Sequence, residues 1–135
     1  MPKLPVVRDH MDRHVATLRP DTDILDAVGF LLEQHVTGAP VVDRANRLVG
    51  ILTEKDCLRL VAAGVGGDVP RGTVSHFMTP DPETIPPDMD VYYAAGLFLA
   101  RDFRRFPVVE DGKLVGTITR FDILRAIQAN LSTLA

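Results

Sequence analysis

The sequence predicts a mixed α/β (α+β) protein in which two pseudo-symmetric β-α-β-β-α repeats pack through their sheets. The stretch LVGILTEKDCLRL, residues 48–60, returns almost unchanged as LVGTITRFDILRA, residues 114–126. Helical and strand-like patterns follow one another in the same order around both stretches. Since a single repeat leaves one face of its sheet uncovered, we expect the two repeats to share a core.

The two repeats align over most of the chain. Met11 matches Met78, 67 positions later, and Asp56 matches Asp122, 66 positions later. The spacing changes where the two turns differ by one residue, DRANRL against EDGKL. We assign residues 1–63 to repeat 1, residues 64–73 to a Gly- and Pro-rich linker, and residues 74–135 to repeat 2.

The first helix of each repeat follows a short extended segment around Thr17 or Thr84. In repeat 1 the apolar residues of ILDAVGFLL recur at helical spacing, and Asp23 precedes them where it can cap the first turn. Asp90 precedes VYYAAGLFL in repeat 2 in the same way. The pattern therefore predicts one capped helix near the start of each repeat.

Two strands joined by a tight turn follow this helix in each repeat. APVVD and RLVGILT in repeat 1, and FPVVE and KLVGTIT in repeat 2, are rich in the β-branched residues that favour strands. Asn46, Asp111 and Gly112 are the turn residues between them. A second helix ends each repeat.

The composition excludes several classes of protein. In 135 residues, 15 basic and 18 acidic side chains give a formal net charge of −3, which disfavours general nucleic-acid binding. The single cysteine, Cys57, cannot form an intrachain disulfide. No apolar run approaches the roughly 20 residues of a membrane span. We therefore expect a cytoplasmic protein with no nucleic-acid partner and no membrane segment.

Each repeat closes a strand with Gly-x-x-Thr-x-x-Asp, from Gly50 to Asp56 and from Gly116 to Asp122, directly before a helix. One interpretation is a capping box, in which the Thr and the acidic residue satisfy backbone N–H groups. The other is a nucleotide site, because a helix N-terminus attracts phosphate and a carboxylate accepts two bonds from a ribose diol. The two interpretations do not exclude each other.

The paired pattern resembles the cystathionine-beta-synthase (CBS) domain pair, or Bateman module, from about Val7 to about Ala129. The marks are HM and FMT before the repeats, GAPVVD and RFPVVE within them, and both Gly-x-x-Thr-x-x-Asp ends. The resemblance implies two clefts between the repeats that hold adenosine-containing ligands. It implies that Asp56 and Asp122 bind the ribose hydroxyls. It also implies that Thr53 and Thr119 lie near the phosphate or the ribose.

The resemblance also implies that Thr17 and Thr84 flank the base, together with backbone at two strand starts. These backbone positions are Gly38, Ala39 and Pro40 in repeat 1, and Arg105, Phe106 and Pro107 in repeat 2. The clefts are expected to differ, because Arg104-Arg105-Phe106 replaces Thr37-Gly38-Ala39. Arginines suit bidentate contact with phosphate, although a solvated helix end is the alternative. Those concerned are Arg101, Arg104, Arg105 and Arg120.

These features favour a non-catalytic regulatory module. It requires no cofactor, binds an adenine nucleotide such as AMP, ADP or ATP, and signals to an unknown separate effector protein, with the chain as a homodimer. The alternative is a structural dimerisation module with empty clefts. Its interface would use area from the aromatic residues Tyr92, Tyr93, Phe98 and Phe103.

No pattern indicates an enzyme or a metal site. The stretch GVGG lacks the Lys and Ser or Thr of a phosphate-binding loop, and we interpret it as linker. His10, His14 and His76 have no neighbouring ligands at metal-site spacing, and His35 is interpreted as a surface residue at a helix end. We expect Cys57 to be a packed, inert thiol.

Overall fold

In the computed structural model, residues 3–63, 67 and 71–134 are described. Most of the predicted linker, including GVGG apart from Gly67, therefore lies outside the described residues. A 3₁₀ turn occupies Val7–Asp9. The helices are α1 (Ile24–Gln34), α2 (Glu54–Ala63), α3 (Val74–Phe77), α4 (Val91–Ala100) and α5 (Arg120–Leu134). The strands are β1 (Gly38–Val42), β2 (Leu48–Thr53), β3 (Thr79–Pro80), β4 (Arg105–Glu110) and β5 (Lys113–Thr119).

The mixed fold and its repeated order of helix, two strands and helix are confirmed. Asp23 accepts backbone bonds from Leu25 and Asp26 at 3.0 and 3.4 Å, and Asp90 accepts one from Tyr93 at 2.8 Å. Both predicted helix caps are therefore present. The turn residues Asn46, Asp111 and Gly112 all have positive φ, as a tight turn between antiparallel strands requires.

The chain forms two compact units that do not coincide with the two stretches of repeated sequence. We call Ala16–Pro82 the contiguous unit, and Met1–Val15 together with Glu83–Ala135 the split unit. The first segment of each repeat therefore packs with the body of the other repeat, and we call these two stretches, residues 3–15 and 74–82, the exchanged segments. This exchange was not predicted from the sequence.

In the contiguous unit, β1, β2 and β3 form an antiparallel sheet in that order. Strand β3 pairs Thr79 with Ile51 and Pro80 with Gly50. The helices pack on this sheet through a buried apolar cluster. Its members are Leu18, Ile24, Ala27, Leu31, Ala39, Val41, Leu52, Leu60 and Val74.

In the split unit, β4 and β5 form a two-stranded antiparallel sheet, and Asp12 bridges to Thr117 at its edge. The N-terminal segment is also held by Arg8, which forms ion pairs with Glu110 and with Asp88, the latter at 3.2 Å. Hydrogen bonds to Glu110 and then to Asp88 raise the pKa of Arg8 above its usual value. The core of this unit consists of Val7, Met11, Ile85, Val91, Ala94, Phe98, Phe106, Val108, Ile118, Ile123 and Ala126.

The first glycine of each Gly-x-x-Thr-x-x-Asp pattern leaves room for the exchanged segment to pack closely against the strand. A Cβ atom on Gly116 would lie 2.7 Å from the carbonyl oxygen of Asp12 and 2.9 Å from Sδ of Met11. In the contiguous unit, Met78 and Thr79 crowd Gly50 in the same way. Met11 thus belongs to the buried core of the split unit, and Met78, at the matched position, packs against the core of the contiguous unit.

None of the helices among the described residues is both long enough and apolar enough to cross a membrane.

Candidate functional site

In the contiguous unit, Thr53 and Asp56 form a reciprocal cap at the start of α2. The Thr53 N–H donates to Oδ2 of Asp56 at 2.9 Å, and the Asp56 N–H donates to Oγ1 of Thr53 at 3.3 Å. The Thr53 hydroxyl also donates to Oδ2 at 3.0 Å. Because these bonds satisfy orphan N–H groups at a helix start, the capping interpretation is correct for this pair.

Two further donors reach the carboxylate of Asp56. Arg59, one turn along α2, donates to Oδ1 at 3.1 Å. Thr79 of β3 donates its hydroxyl to Oδ1 at 3.2 Å, with Oδ2 at 3.4 Å. The side chain of Asp56 is 3% exposed. Arg59 and Thr79 were not singled out from the sequence, because their roles depend on the exchange of segments and on helix geometry.

In the split unit, Thr119 and Asp122 cap α5 in the same manner. The Thr119 N–H donates to Oδ2 of Asp122 at 2.9 Å, and the Asp122 N–H donates to Oγ1 of Thr119 at 3.2 Å. Arg125 forms an ion pair with Oδ1 of Asp122. Arg125 matches Arg59 at the 66-residue spacing, so the signal for both was their repetition on the first turn after the cap.

The residues predicted to flank a base lie beside these caps in each unit. The residue after Thr17, Leu18, donates its N–H to the Pro40 carbonyl at 2.9 Å, and Ile85, the residue after Thr84, donates to that of Pro107 at 3.0 Å. Gly38 is the cross-strand neighbour of Thr53, and Arg105 that of Thr119. Each unit therefore gathers one predicted set of residues. These sets are Thr17, Gly38, Ala39, Pro40, Thr53 and Asp56, and Thr84, Arg104, Arg105, Phe106, Pro107, Thr119, Arg120 and Asp122.

The side chains of Ala39 and Phe106 do not face a ligand, because both are core residues. Ala39 is 1% exposed, and Phe106 is fully buried. The ring of Phe106 packs edge-on against those of Phe98 and Phe103, with centroids 4.8 and 5.3 Å apart. The prediction that Phe98 supplies interface area is wrong, since it is 6% exposed and belongs to this core.

The four arginines predicted to approach phosphate fall into two groups. Arg101 donates to both carboxylate oxygens of Glu83, and Arg120 lies 3.9 Å from a carboxylate oxygen of Asp102. Arg104 and Arg105 form no ion pair with any residue that the structure describes. The Nε atom of Arg105 is buried and has no hydrogen-bond partner within the described part of the chain. A buried unsatisfied donor is costly, and an anion would satisfy it.

Cys57 lies beside Asp56 in the first turn of α2 and is partly buried. Burial of the thiol, and then the nearby charge of Asp56, raise the pKa of Cys57. These effects oppose the helix N-terminus, so the thiolate is disfavoured at neutral pH. Among the described residues, no three His, Cys, Asp or Glu side chains gather as a metal site requires.

Comparison with known proteins identifies the family. A model of the CBS domain matches residues 7–63 and again residues 74–129. The chain belongs to the CBS family. The CBS domain pair inferred from the repeated motifs is thereby confirmed. The two matched stretches include the helix-capping residues Asp56 and Asp122.

Two solved CBS pairs are similar over nearly the whole chain. CBSX2 of Arabidopsis thaliana, solved in complex with AMP, is 34% identical with a TM-score of 0.81, over 93% of this chain and 98% of that one. The CBS domain pair of the protein MJ0100, solved with 5′-methylthioadenosine and S-adenosyl-L-methionine, is 26% identical with a TM-score of 0.78. That match covers 95% of this chain and 99% of that one.

CBS pairs also occur within longer relatives. The A-adding tRNA nucleotidyltransferase of Aquifex aeolicus (strain VF5) is 35% identical over 128 residues, which are 95% of this chain but 15% of the enzyme. The chain likewise spans 59% of the full CBSX2 sequence, at 31% identity.

Proposed function

We propose that the chain is a non-catalytic regulatory module that binds an adenosine-containing ligand, such as AMP, ADP or ATP, and signals to a separate protein. One observation carries the proposal: CBS pairs with this fold have been solved with AMP, and with 5′-methylthioadenosine and S-adenosyl-L-methionine. The predicted ligand residues of each repeat also lie together within one compact unit.

The chemistry of the two residue sets suits such a ligand. A carboxylate at the first turn of a helix can accept the hydroxyls of a ribose, and backbone groups at the strand starts can bond a base edge. In the split unit, Arg104 and Arg105 supply positive charge for phosphate. The module needs no cofactor beyond this ligand.

A ligand can act as a signal only if it binds two arrangements of the module with different affinity. We propose that the partner protein recognises the arrangement that the adenosyl ligand favours.

The experiment is thermal unfolding of the purified chain with AMP, ADP, ATP, S-adenosylmethionine, NAD and GMP. A ligand present at 100 times its Kd stabilises the folded state by about 2.7 kcal/mol, which raises Tm by several degrees. The double variant Asp56→Ala/Asp122→Ala is the matched control and should show no ligand shift. A chain that remains folded but responds to none of the adenosyl compounds would refute the proposal.

A second candidate, an assembly module, is favoured by exposed leucines at matched positions of the two repeats. Leu32 and Leu99 are 70% and 90% exposed, and Leu58 and Leu124 are both 64% exposed. On the split unit, Leu99 and Leu124 border a groove of about 700 Å³ between α4 and α5. An apolar surface repeated in this way suits contact with a second copy of the chain, so we propose a homodimer.

A further inference from the structure

We propose that the two sites are unequal: a phosphorylated adenosyl ligand binds in the split unit through Asp122 and Arg105, whereas Asp56 is a structural clasp of the contiguous unit. This inference rests on the proposed function, since it assigns the proposed ligand to one of the two residue sets.

The carboxylate of Asp56 has no capacity left for a ribose. A carboxylate offers about four acceptor positions. Four donors among the described residues occupy them: the N–H and hydroxyl of Thr53 at 2.9 and 3.0 Å, Arg59 at 3.1 Å and the Thr79 hydroxyl at 3.2 Å. A ligand hydroxyl could reach Asp56 only by displacing one of these donors, and the side chain is 3% exposed.

The carboxylate of Asp122 accepts from two donors among the described residues, the N–H of Thr119 and the guanidinium of Arg125. About two acceptor positions therefore remain, which is the number of hydroxyl donors in a ribose diol. The side chain of Asp122 is 11% exposed, so these positions are more accessible than those of Asp56.

The difference between the two carboxylates follows from one pair of matched residues. Thr79 pairs with Ile51 on β2, and Asp12, 67 positions earlier, pairs with Thr117 on β5. At this position of the contiguous unit a hydroxyl donates to Asp56. In the split unit the same position holds a carboxylate, which cannot donate when ionised, and which accepts the His14 N–H at 2.9 Å.

The predicted site of the split unit also carries more positive charge than that of the contiguous unit. Arg104, Arg105 and Arg120 stand in repeat 2 where repeat 1 has Thr37, Gly38 and Glu54. The guanidinium of Arg105 contains the buried Nε atom that has no partner among the described residues, and Arg105 lies opposite the cap residue Thr119. A phosphate would satisfy this donor. At the matched position, a Cβ atom on Gly38 would already lie 3.2 Å from the Leu52 carbonyl oxygen.

The test is isothermal titration with AMP and with adenosine, using the wild-type chain and single variants. We expect one AMP per chain. Asp122→Asn should weaken AMP binding about tenfold or more, since it removes acceptors for charge-assisted bonds. Arg105→Gln should weaken AMP binding by a similar factor while leaving adenosine affinity nearly unchanged. Asp56→Asn and Thr79→Val should leave AMP affinity within about twofold, while lowering Tm.

Titrations are carried out well below the Tm of each variant, and Thr79→Val supplies the answer if Asp56→Asn does not fold. Two AMP sites per chain, or equal loss of affinity in Asp56→Asn and Asp122→Asn, would overturn the assignment and leave the proposed function standing. Failure of the wild type to bind AMP or adenosine would overturn the assignment, and the proposed function would fall with it only if ADP, ATP and S-adenosylmethionine also failed to bind. If Arg105→Gln weakened adenosine binding by the same factor as AMP binding, the proposed role of Arg105 would be overturned.

Discussion

The Sδ atom of Met78 lies 2.5 Å from the place that a Cβ atom would take on Gly50. Met78 lies at the start of the second repeat, whereas Gly50 lies on a strand of the first. The methionine therefore fills the space that any side chain at position 50 would need, and the exchanged segment packs directly on the strand.

Substituting either strand glycine by alanine should destabilise the fold by about 1–3 kcal/mol, because the new methyl group overpacks the site. The Gly50→Ala methyl group meets mainly a flexible side chain, while the Gly116→Ala methyl group meets the Asp12 carbonyl oxygen at 2.7 Å. We expect Met78→Ala to relieve Gly50→Ala more than Met11→Ala relieves Gly116→Ala. Chemical denaturation of single and double variants measures both coupling energies.

The helix glycines Gly29 and Gly96 are matched controls, since a Cβ atom at either would have no neighbour within 4 Å. Alanine at these positions should stabilise the protein by about 0.5–1 kcal/mol through helix propensity. Destabilisation at Gly29 or Gly96 equal to that at Gly50 would contradict the overpacking explanation.

The thiol of Cys57 should be alkylated by iodoacetamide more slowly than free cysteine at pH 8. The pKa of this thiol is raised in the folded state, so the folded protein binds the thiol proton more tightly than the unfolded chain does. The resulting stabilisation is complete below the unfolded pKa of about 8.5 and is lost as pH rises through the folded value. Stability should therefore fall between these two pKa values.

Asp56→Asn should lower the pKa of Cys57 and speed its alkylation, by less than about tenfold because burial is the larger cause. Thr79→Val is the control, since it disturbs the same hydrogen bonds without removing the charge. Equal acceleration in the two variants would mean that local opening, rather than the charge of Asp56, controls the thiol.

Arg8→Gln should lower Tm, because Arg8 joins the N-terminal segment to Glu110 and Asp88. Added salt should reduce the difference between wild type and variant, since the ion pairs are partly exposed and are screened. Thermal unfolding at low and high salt measures this. Arg44→Gln removes the same charge from an exposed turn, and a Tm loss of the same size there would contradict the specific role of Arg8.

Self-association should depend on the exposed leucines that the repeats share. We expect the wild-type chain to sediment as a dimer, and Leu58→Asp or Leu124→Asp to weaken the dimer by about tenfold or more, because each places a charge in an apolar contact. Leu4→Asp, at a site that is 55% exposed, is the control. A dimer that survives both helix substitutions would exclude this surface as the interface.

The local structure was predictable from the sequence because the same local pattern occurs in both repeats. Asp23 and Asp90 cap their helices, and Asn46, Asp111 and Gly112 occupy their turns, as the patterns indicated. These features depend on neighbouring residues along the chain, and sequence periodicity reports such local preferences well.

The exchange of segments could not be predicted in the same way. The segments around Met11 and Met78 occupy the same position in the two repeats, and no pattern in either one indicates which sheet it joins. A signal was nevertheless present: Gly50 and Gly116 interrupt strands of β-branched residues, and glycine within a strand often marks a close backbone approach. The Thr79 donor on Asp56 was hidden for the same reason, since Thr79 reaches Asp56 only through that exchange.

The division into a contiguous and a split unit sets an order of assembly during synthesis. All residues of Ala16–Pro82 leave the ribosome in one stretch, so this unit can complete its sheet before the second repeat exists. The residues around Val7 and Met11 are translated before this unit, but they pack in the split unit with residues of α4 and β5, which are translated after it. This segment therefore docks only after the contiguous unit has been translated in full, and until then its apolar side chains lack their native contacts.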